Sequence, residues 1–149
     1  MLRERRYVDG SRVGIVGFSY GGYMSAMGIL KHPDVYTAAV IGSGVTDWRH
    51  YDTIYTARFM RTPQNNPEGY RRSSPRFNAA DLHGALLLLH GTMDDNVHLQ
   101  STLEDRTRFG LLSDQFQLKT CCGAALPLKL LVELQFCNVR GPLLKGCRT

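Results

Sequence analysis

The stretch Gly17-Phe18-Ser19-Tyr20-Gly21-Gly22 decides the fold of this chain. It fits the pattern G-x-S-x-G, in which a serine stands at a sharp turn between a strand and a helix. Residues 12–18 predict a buried strand before the serine, and residues 21–31 predict a helix after it. We expect the three glycines to remove Cβ atoms that would clash where strand and helix approach each other. Ser19 is therefore a candidate nucleophile.

Two other interpretations of this turn stay open on the motif alone. Ser19 could simply cap the helix that follows it, since serine is a favoured N-cap residue. The glycines could also form a phosphate-binding loop, which is less favoured because no Lys-Ser or Lys-Thr pair follows them.

Composition points to one domain without a nucleic-acid or membrane partner. The 149 residues are 43% hydrophobic, and the 18 basic against 13 acidic side chains give a charge of +5 that is spread along the chain. No basic stripe is interleaved with aromatics. The longest apolar run, residues 85–89, is too short to span a bilayer, and no signal peptide is recognisable. The compartment is unknown, cytoplasmic by default, and the oligomeric state is unassigned.

Strands and helices alternate along the chain, which predicts an α/β fold with a mostly parallel sheet and helices on both faces. Strands are expected at residues 12–18, 36–41, 84–90 and 114–120. Helices are expected at 21–31, near 52–60 and 67–72, and at 98–112. Because parallel strands place their carboxyl ends at one edge, Ser19 and the pair Asp94-Asp95 should meet there.

Asp94 is the candidate acid of a catalytic triad. A triad acid orients the histidine base and stabilises its charged form. Asp94 could instead form an Asx turn or cap a helix, and alone it would favour that interpretation. The chain order of serine followed by aspartate favours the catalytic one.

Three blocks together resemble the prolyl oligopeptidase family of serine peptidases, in its dipeptidyl peptidase IV-like branch. They are residues 17–23 (GFSYGGY), 48–56 (WRHYDTIYT) and 90–98 (HGTMDDNVH). The resemblance covers about residues 8–120. It implies a partial α/β-hydrolase fold, with residues 1–120 forming the C-terminal part of a peptidase catalytic domain.

The resemblance also implies the roles of individual residues. Ser19 would be the nucleophile, Asp94 the triad acid, and the backbone N–H of Tyr20 an oxyanion-hole donor. The family has a pocket for the substrate side chain before the scissile bond, which is often proline. Asn96 would contact a substrate carbonyl. The matching pocket positions are Val45, Trp48, Tyr51, Tyr55 and Val97. The spacing of Tyr51 and Tyr55 also fits ordinary packing on one helix.

The sequence departs from the family where the triad histidine should stand. The five histidines are His32, His50, His83, His90 and His98, so none follows the predicted strand 114–120. The resemblance stops at residue 121, and the tail 121–149 contains all four cysteines and no aspartate. We interpret residues 121–149 as the product of a frameshift, an intron read-through or a mispredicted gene end, which the coding DNA past codon 120 would test. A genuine divergent tail is the alternative.

The sequence therefore predicts a serine peptidase catalytic-domain fragment that acts on peptides and is inactive as written. No cofactor and no metal ion are expected. Two alternatives stay open: an esterase on the same fold, against which residues 48–55 argue, and a non-catalytic remnant that serves in interactions.

Overall fold

Parallel strands joined by helices make up the computed structural model of the protein, which describes residues 4–112 and 116–121. The strands are β1 (Gly14–Phe18), β2 (Ala38–Gly42), β3 (Ala85–Gly91) and β4 (Phe116–Cys121). The α-helices are α1 (Tyr20–Lys31), α2 (Thr53–Met60), α3 (Pro67–Ser73) and α4 (Leu99–Leu112). Two 3-10 helices, Trp48–His50 and Pro75–Asp81, lie on either side of α2 and α3.

The described sheet has the strand order β1-β2-β3-β4, with every neighbouring pair parallel. Phe18 at the end of β1 is in register with Gly42, and Gly42 is in register with Leu89 of β3. The predicted α/β class is thus confirmed. Because the strands run in the same direction, the loops that leave their carboxyl ends share one edge of the sheet.

One apolar cluster joins the sheet to the helices. Strand β3 is buried from Leu86 onward, as its continuous apolar run predicts. Helices α1 and α4 both contribute to the cluster, so α1, which follows Ser19, is anchored through its inner face. The largest contributors are Ile29, Leu30, Ile41, Leu86, Leu88 and Phe109.

Local capping explains where the helices between β2 and β3 begin. The Asp52 side chain accepts a hydrogen bond from the Ile54 N–H at the start of α2. Asn66 accepts one from the Gly69 N–H, and Pro67 follows it as the first residue of α3. Asparagine and aspartate are favoured at such positions because their oxygens pair with N–H groups that lack intrahelical acceptors.

The two 3-10 helices, of three and seven residues, were not predicted, because short 3-10 segments leave little periodic signal in a sequence. Strand β4 runs to Cys121, and the rest of the predicted tail, residues 122–149, lies outside the described residues. Among the helices of the described part, none is long and apolar enough to cross a membrane.

Candidate active site at the carboxyl edge of the sheet

Ser19 lies in a strained turn between β1 and α1. Its φ of 54° falls in a region that residues other than glycine seldom adopt, and such strain costs about 1–3 kcal/mol. The Ser19 N–H donates to the Gly42 carbonyl at 2.8 Å, and the Ser19 carbonyl accepts from the Tyr23 N–H at 3.0 Å. The Ser19 side chain makes no capping hydrogen bond. The turn is therefore held through its backbone, and the alternative in which the hydroxyl caps α1 does not describe this structure.

Two of the three motif glycines are required by space, and the third is not. A Cβ at Gly17 would lie 2.1 Å from the Gly21 carbonyl oxygen, and one at Gly22 would lie 2.9 Å from the Gly42 carbonyl oxygen. A Cβ at Gly21 would meet nothing within 4 Å. The expectation that Gly21 relieves a clash is wrong, because this residue is on the exposed side of the first turn of α1.

Tyr20 is the first residue of α1. Backbone N–H groups in the first turn of a helix have no intrahelical acceptor, so they are available to other groups. This position suits the predicted oxyanion-hole role of the Tyr20 N–H, which stays a prediction.

Asp94 lies in the loop that follows β3. Its Oδ1 accepts hydrogen bonds from the Asn96 N–H at 3.1 Å and the Val97 N–H at 2.9 Å. One carboxylate oxygen of Asp94 therefore forms a local turn of the Asx kind, which the sequence analysis gave as the alternative to a catalytic role. The other, Oδ2, lies 3.7 Å from Nε2 of His90. The turn thus fixes the carboxylate without using both of its oxygens.

His90, the last residue but one of β3, anchors this loop and was missed by the sequence analysis. Its ring is fully buried, with Nδ1 2.8 Å from Oγ1 of Thr102 and Nε2 2.6 Å from the Val97 carbonyl oxygen. A carbonyl can only accept, so Nε2 carries a proton and donates it. The signal in the sequence was a single polar side chain that ends a run of four leucines. Such a residue needs buried partners.

Ser19 and Asp94 leave the sheet at the same edge, as predicted. Ser19 follows β1 and Asp94 follows β3, with β2 between them. At about 4.8 Å per strand, the two strand ends are roughly 10 Å apart. That separation leaves room for a third group between the serine and the carboxylate.

An aromatic cleft opens beside the turn at Ser19, where Tyr20 lines it, and has a volume of about 300 Å³. This size is at the lower end of the range for small-ligand pockets. The rings of Tyr23 and Trp48 meet edge to face at 4.9 Å, and those of Trp48 and Tyr55 stack at 6.2 Å. Burial raises the pKa of the Tyr23 phenol above its ordinary value, because the charged form is poorly solvated there. The lining residues are Tyr20, Tyr23, Trp48, Tyr55, Thr56, Phe59, Met60 and Ser73.

Of the predicted pocket residues, Trp48 and Tyr55 line this cleft. Val45, Trp48 and Val97 belong to one buried cluster, and Tyr51 packs against it. The Tyr51 hydroxyl donates to Oδ1 of Asn96 at 3.1 Å, so the candidate for the substrate-carbonyl contact lies beside Tyr51.

The contact between Tyr51 and Tyr55 does not come from their spacing on one helix. Their rings meet edge to face at 5.6 Å, but Tyr51 precedes α2 and only Tyr55 lies on it. Tyr23 and Phe59, which also line the cleft, were not predicted. Phe59 stands one helical turn after Tyr55, and this spacing was the available signal.

No three His, Cys, Asp or Glu side chains in residues 4–112 and 116–121 come together in a way that could hold a metal ion. The chemistry that these residues offer is that of a serine hydroxyl, a fixed carboxylate and an apolar cleft.

Comparison with known proteins places this arrangement in a family. Residues 1–123 match the model of the prolyl oligopeptidase family. The chain is 46% identical over 102 residues to a protein named "Probable dipeptidyl-aminopeptidase B" from Coccidioides posadasii. The matched segment covers 67% of this chain and 11% of that protein. A protein of the same name from Aspergillus terreus is 47% identical over 105 residues, covering 69% and 12% of the two chains.

The fold agrees with this match. The crystal structure of Porphyromonas gingivalis dipeptidyl peptidase 4 is similar with a TM-score of 0.80 and 35% identity, over 91% of this chain and 20% of that one. The chain thus spans only about a tenth to a fifth of the length of these relatives. The family model, the relatives and the shared fold lead to one conclusion: this chain belongs to the prolyl oligopeptidase family of serine peptidases, with relatives among the dipeptidyl peptidases.

Proposed function

We propose that Ser19 is the nucleophile and Asp94 the triad acid of a serine peptidase site that acts on peptides, and that this chain lacks the base which would make the site turn over. The observation that carries the proposal is the strained backbone of Ser19, with φ of 54° and no capping bond to its side chain. Strain of this kind persists where surrounding structure enforces it, and it concentrates at functional sites.

In a parent protein that supplies the missing histidine base, the reaction would follow the usual course for an activated serine. The Ser19 hydroxyl oxygen bonds to the peptide carbonyl carbon as its proton passes to a base. The base then gives that proton to the leaving amine, and water hydrolyses the acyl-enzyme. The Tyr20 N–H would stabilise the negative charge on the carbonyl oxygen.

The aromatic cleft supports peptide recognition by this site. It begins at Tyr20, the residue after the nucleophile, and its stacked Trp48 and Tyr55 rings offer flat apolar walls. A small flat side chain such as proline suits such walls. Asn96, held by the Tyr51 hydroxyl, would contact a substrate carbonyl at the rim.

The missing base limits what this chain can do. Of the five histidines, His90 is buried with both ring nitrogens engaged by Thr102 and Val97, so it has no free nitrogen for Ser19. No histidine follows residue 98. Removing a triad member leaves only about 10³–10⁴-fold catalysis over water. We therefore propose that the 149-residue chain binds peptides and has negligible peptidase activity.

Labelling with a fluorophosphonate, followed by intact-mass and peptide-mass spectrometry, tests this proposal. We expect no rapid stoichiometric adduct, and a slow adduct at Ser19 that is lost in Ser19→Ala. Ser11 is the internal control, since its exposed hydroxyl donates to the Asp9 carboxylate at 2.5 Å but lies outside the strained turn. Rapid stoichiometric labelling of Ser19 would overturn the proposed inactivity. Labelling of Ser11 at the same rate as Ser19 would overturn the nucleophile assignment.

A further inference from the structure

A buried carboxylate, Asp47, directly precedes Trp48, which lines the aromatic cleft. Asp47 is 1% exposed, and both of its oxygens are hydrogen-bonded to the Arg49 guanidinium, with Nε at 3.0 and 3.1 Å. The Arg49 N–H also donates to Oδ1 at 3.0 Å, which caps the 3-10 helix of residues 48–50. Trp48, the central ring of the cleft, stands between these two charged residues in the chain.

The ionic contacts continue from Asp47 to α4. Nη1 of Arg76 lies 3.8 Å from Oδ2 of Asp47, and the same nitrogen donates to the Glu104 carboxylate. Nδ1 of His50 lies 4.0 Å from that carboxylate. We call Asp47, Arg49, Arg76 and Glu104 the ionic cluster. It ties both 3-10 helices to α4 across 28 residues of chain between Arg76 and Glu104.

Backbone contacts fasten the same segment without fixing the Trp48 ring. The Arg76 N–H donates to the Thr46 carbonyl at 3.2 Å, and the Trp48 N–H lies 3.4 Å from Oγ of Ser74. On the solvent side, Arg49 is half exposed and lies over the Phe77 ring at 4.9 Å. The ionic cluster therefore adds a directional constraint at the two residues that flank Trp48.

We propose that the ionic cluster positions Trp48 in the wall of the aromatic cleft, with Asp47 as the central positioning residue. The inference rests on the proposed function in one respect: the proposed function makes the cleft the binding site of the substrate side chain. Buried ion pairs contribute little net stability but fix geometry, and loss of one partner leaves an uncompensated buried charge. Loss of the Asp47 charge should therefore release Arg49 and Arg76 from Asp47 and loosen the Trp48 ring, which lies between Asp47 and Arg49 in the chain.

Trp48 is the only tryptophan of the chain, so its fluorescence reports on this wall alone. The test variant is Asp47→Asn, which keeps the shape of the side chain and removes its charge. We expect its emission maximum to shift to longer wavelength and its quenching by acrylamide to increase. Glu104→Gln should cause a smaller change in the same direction, because it acts through Arg76.

The matched control is Glu68→Gln, which removes an exposed ion pair with Arg72 at 3.8 Å on α3. Its Trp48 emission should equal that of the unmodified chain. All spectra are taken below the unfolding transition, with the fold checked by far-UV circular dichroism, since simple destabilisation lowers the midpoint without altering native-state emission. If Asp47→Asn does not fold, Glu104→Gln serves as the test variant. The Glu104 carboxylate is partly exposed, so its loss should disturb folding less.

Unchanged emission and quenching in folded Asp47→Asn, or in Glu104→Gln when Asp47→Asn is unfolded, would overturn the positioning role. This outcome is separate from the proposed function, because labelling of Ser19 by the fluorophosphonate does not depend on Trp48 fluorescence.

Discussion

Gly17→Ala should be among the most damaging single-methyl changes in the described part of the chain. The added Cβ would stand 2.1 Å from the carbonyl oxygen and 2.3 Å from the carbonyl carbon of Gly21. Real Cβ contacts do not come under 3.0 Å, so the turn must open by at least 3.0 − 2.1 = 0.9 Å. The opposing atoms are backbone at the start of α1, and they cannot rotate away.

The expected cost follows from that geometry. Overpacking costs typically about 1–3 kcal/mol, and a backbone clash of this depth should reach or exceed the upper end. With a urea m-value of about 2 kcal/mol/M, the unfolding midpoint should fall by about 1.5 M. Gly21→Ala is the matched control, because the same methyl meets nothing within 4 Å and alanine favours the helix by up to about 1 kcal/mol.

Equilibrium urea unfolding of the two variants, followed by circular dichroism, measures the difference. The reasoning holds if Gly17→Ala is destabilised while Gly21→Ala is as stable as the unmodified chain or more so. If both variants unfold at the same urea concentration, the tight approach at Gly17 does not constrain the turn.

Two further predictions concern the groups behind the site. His90→Ala should lower the free energy of unfolding by several kcal/mol. It opens a cavity and leaves the Val97 carbonyl and the Thr102 hydroxyl without their partner, at about 1–3 kcal/mol each. Urea unfolding measures this loss, and a loss below about 1 kcal/mol would contradict the anchoring role of His90. Burial opposes the charge on Asp47, but the Arg49 hydrogen bonds outweigh it and hold the Asp47 pKa below its ordinary value. A lowered folded-state pKa gives stability that is full above the unfolded-state value of about 3.9 and fades as pH falls through the folded value. The melting temperature should therefore fall less steeply below about pH 4 in Asp47→Asn than in the unmodified chain, and parallel curves would refute this.

Much of the fold was predictable because its signals are local. The apolar run of β3, the glycines around Ser19, and Asp52 and Asn66 as caps each act within a few residues of themselves. The observed elements accordingly lie within about two residues of the predicted ones. The two 3-10 helices were not predicted, because 3-10 segments of three and seven residues carry too little periodic pattern.

The pocket residues were predictable only through the resemblance to the family. Spacing alone would have assigned Tyr51 and Tyr55 to ordinary packing on one helix, and the structure shows that Tyr51 is not on that helix. Tyr23 and Phe59 carry no mark in the sequence that separates a cleft wall from a core. Their exposure and neighbours depend on where α1 and α2 lie relative to each other.

The sequence by itself determined the strand-turn-helix around Ser19, the order of nucleophile and acid, the family, and the lack of a histidine after residue 98. These depend on residue type and on neighbours close in the chain. Only the tertiary structure decided that Gly17 and Gly22 are required and Gly21 is not, that His90 holds the Asp94 loop, and that Asp47 joins Arg76 and Glu104 behind Trp48. The physical reason is distance along the chain: hydrogen bonds, ion pairs and steric limits act between atoms that folding brings together, and the sequence does not state which atoms those are.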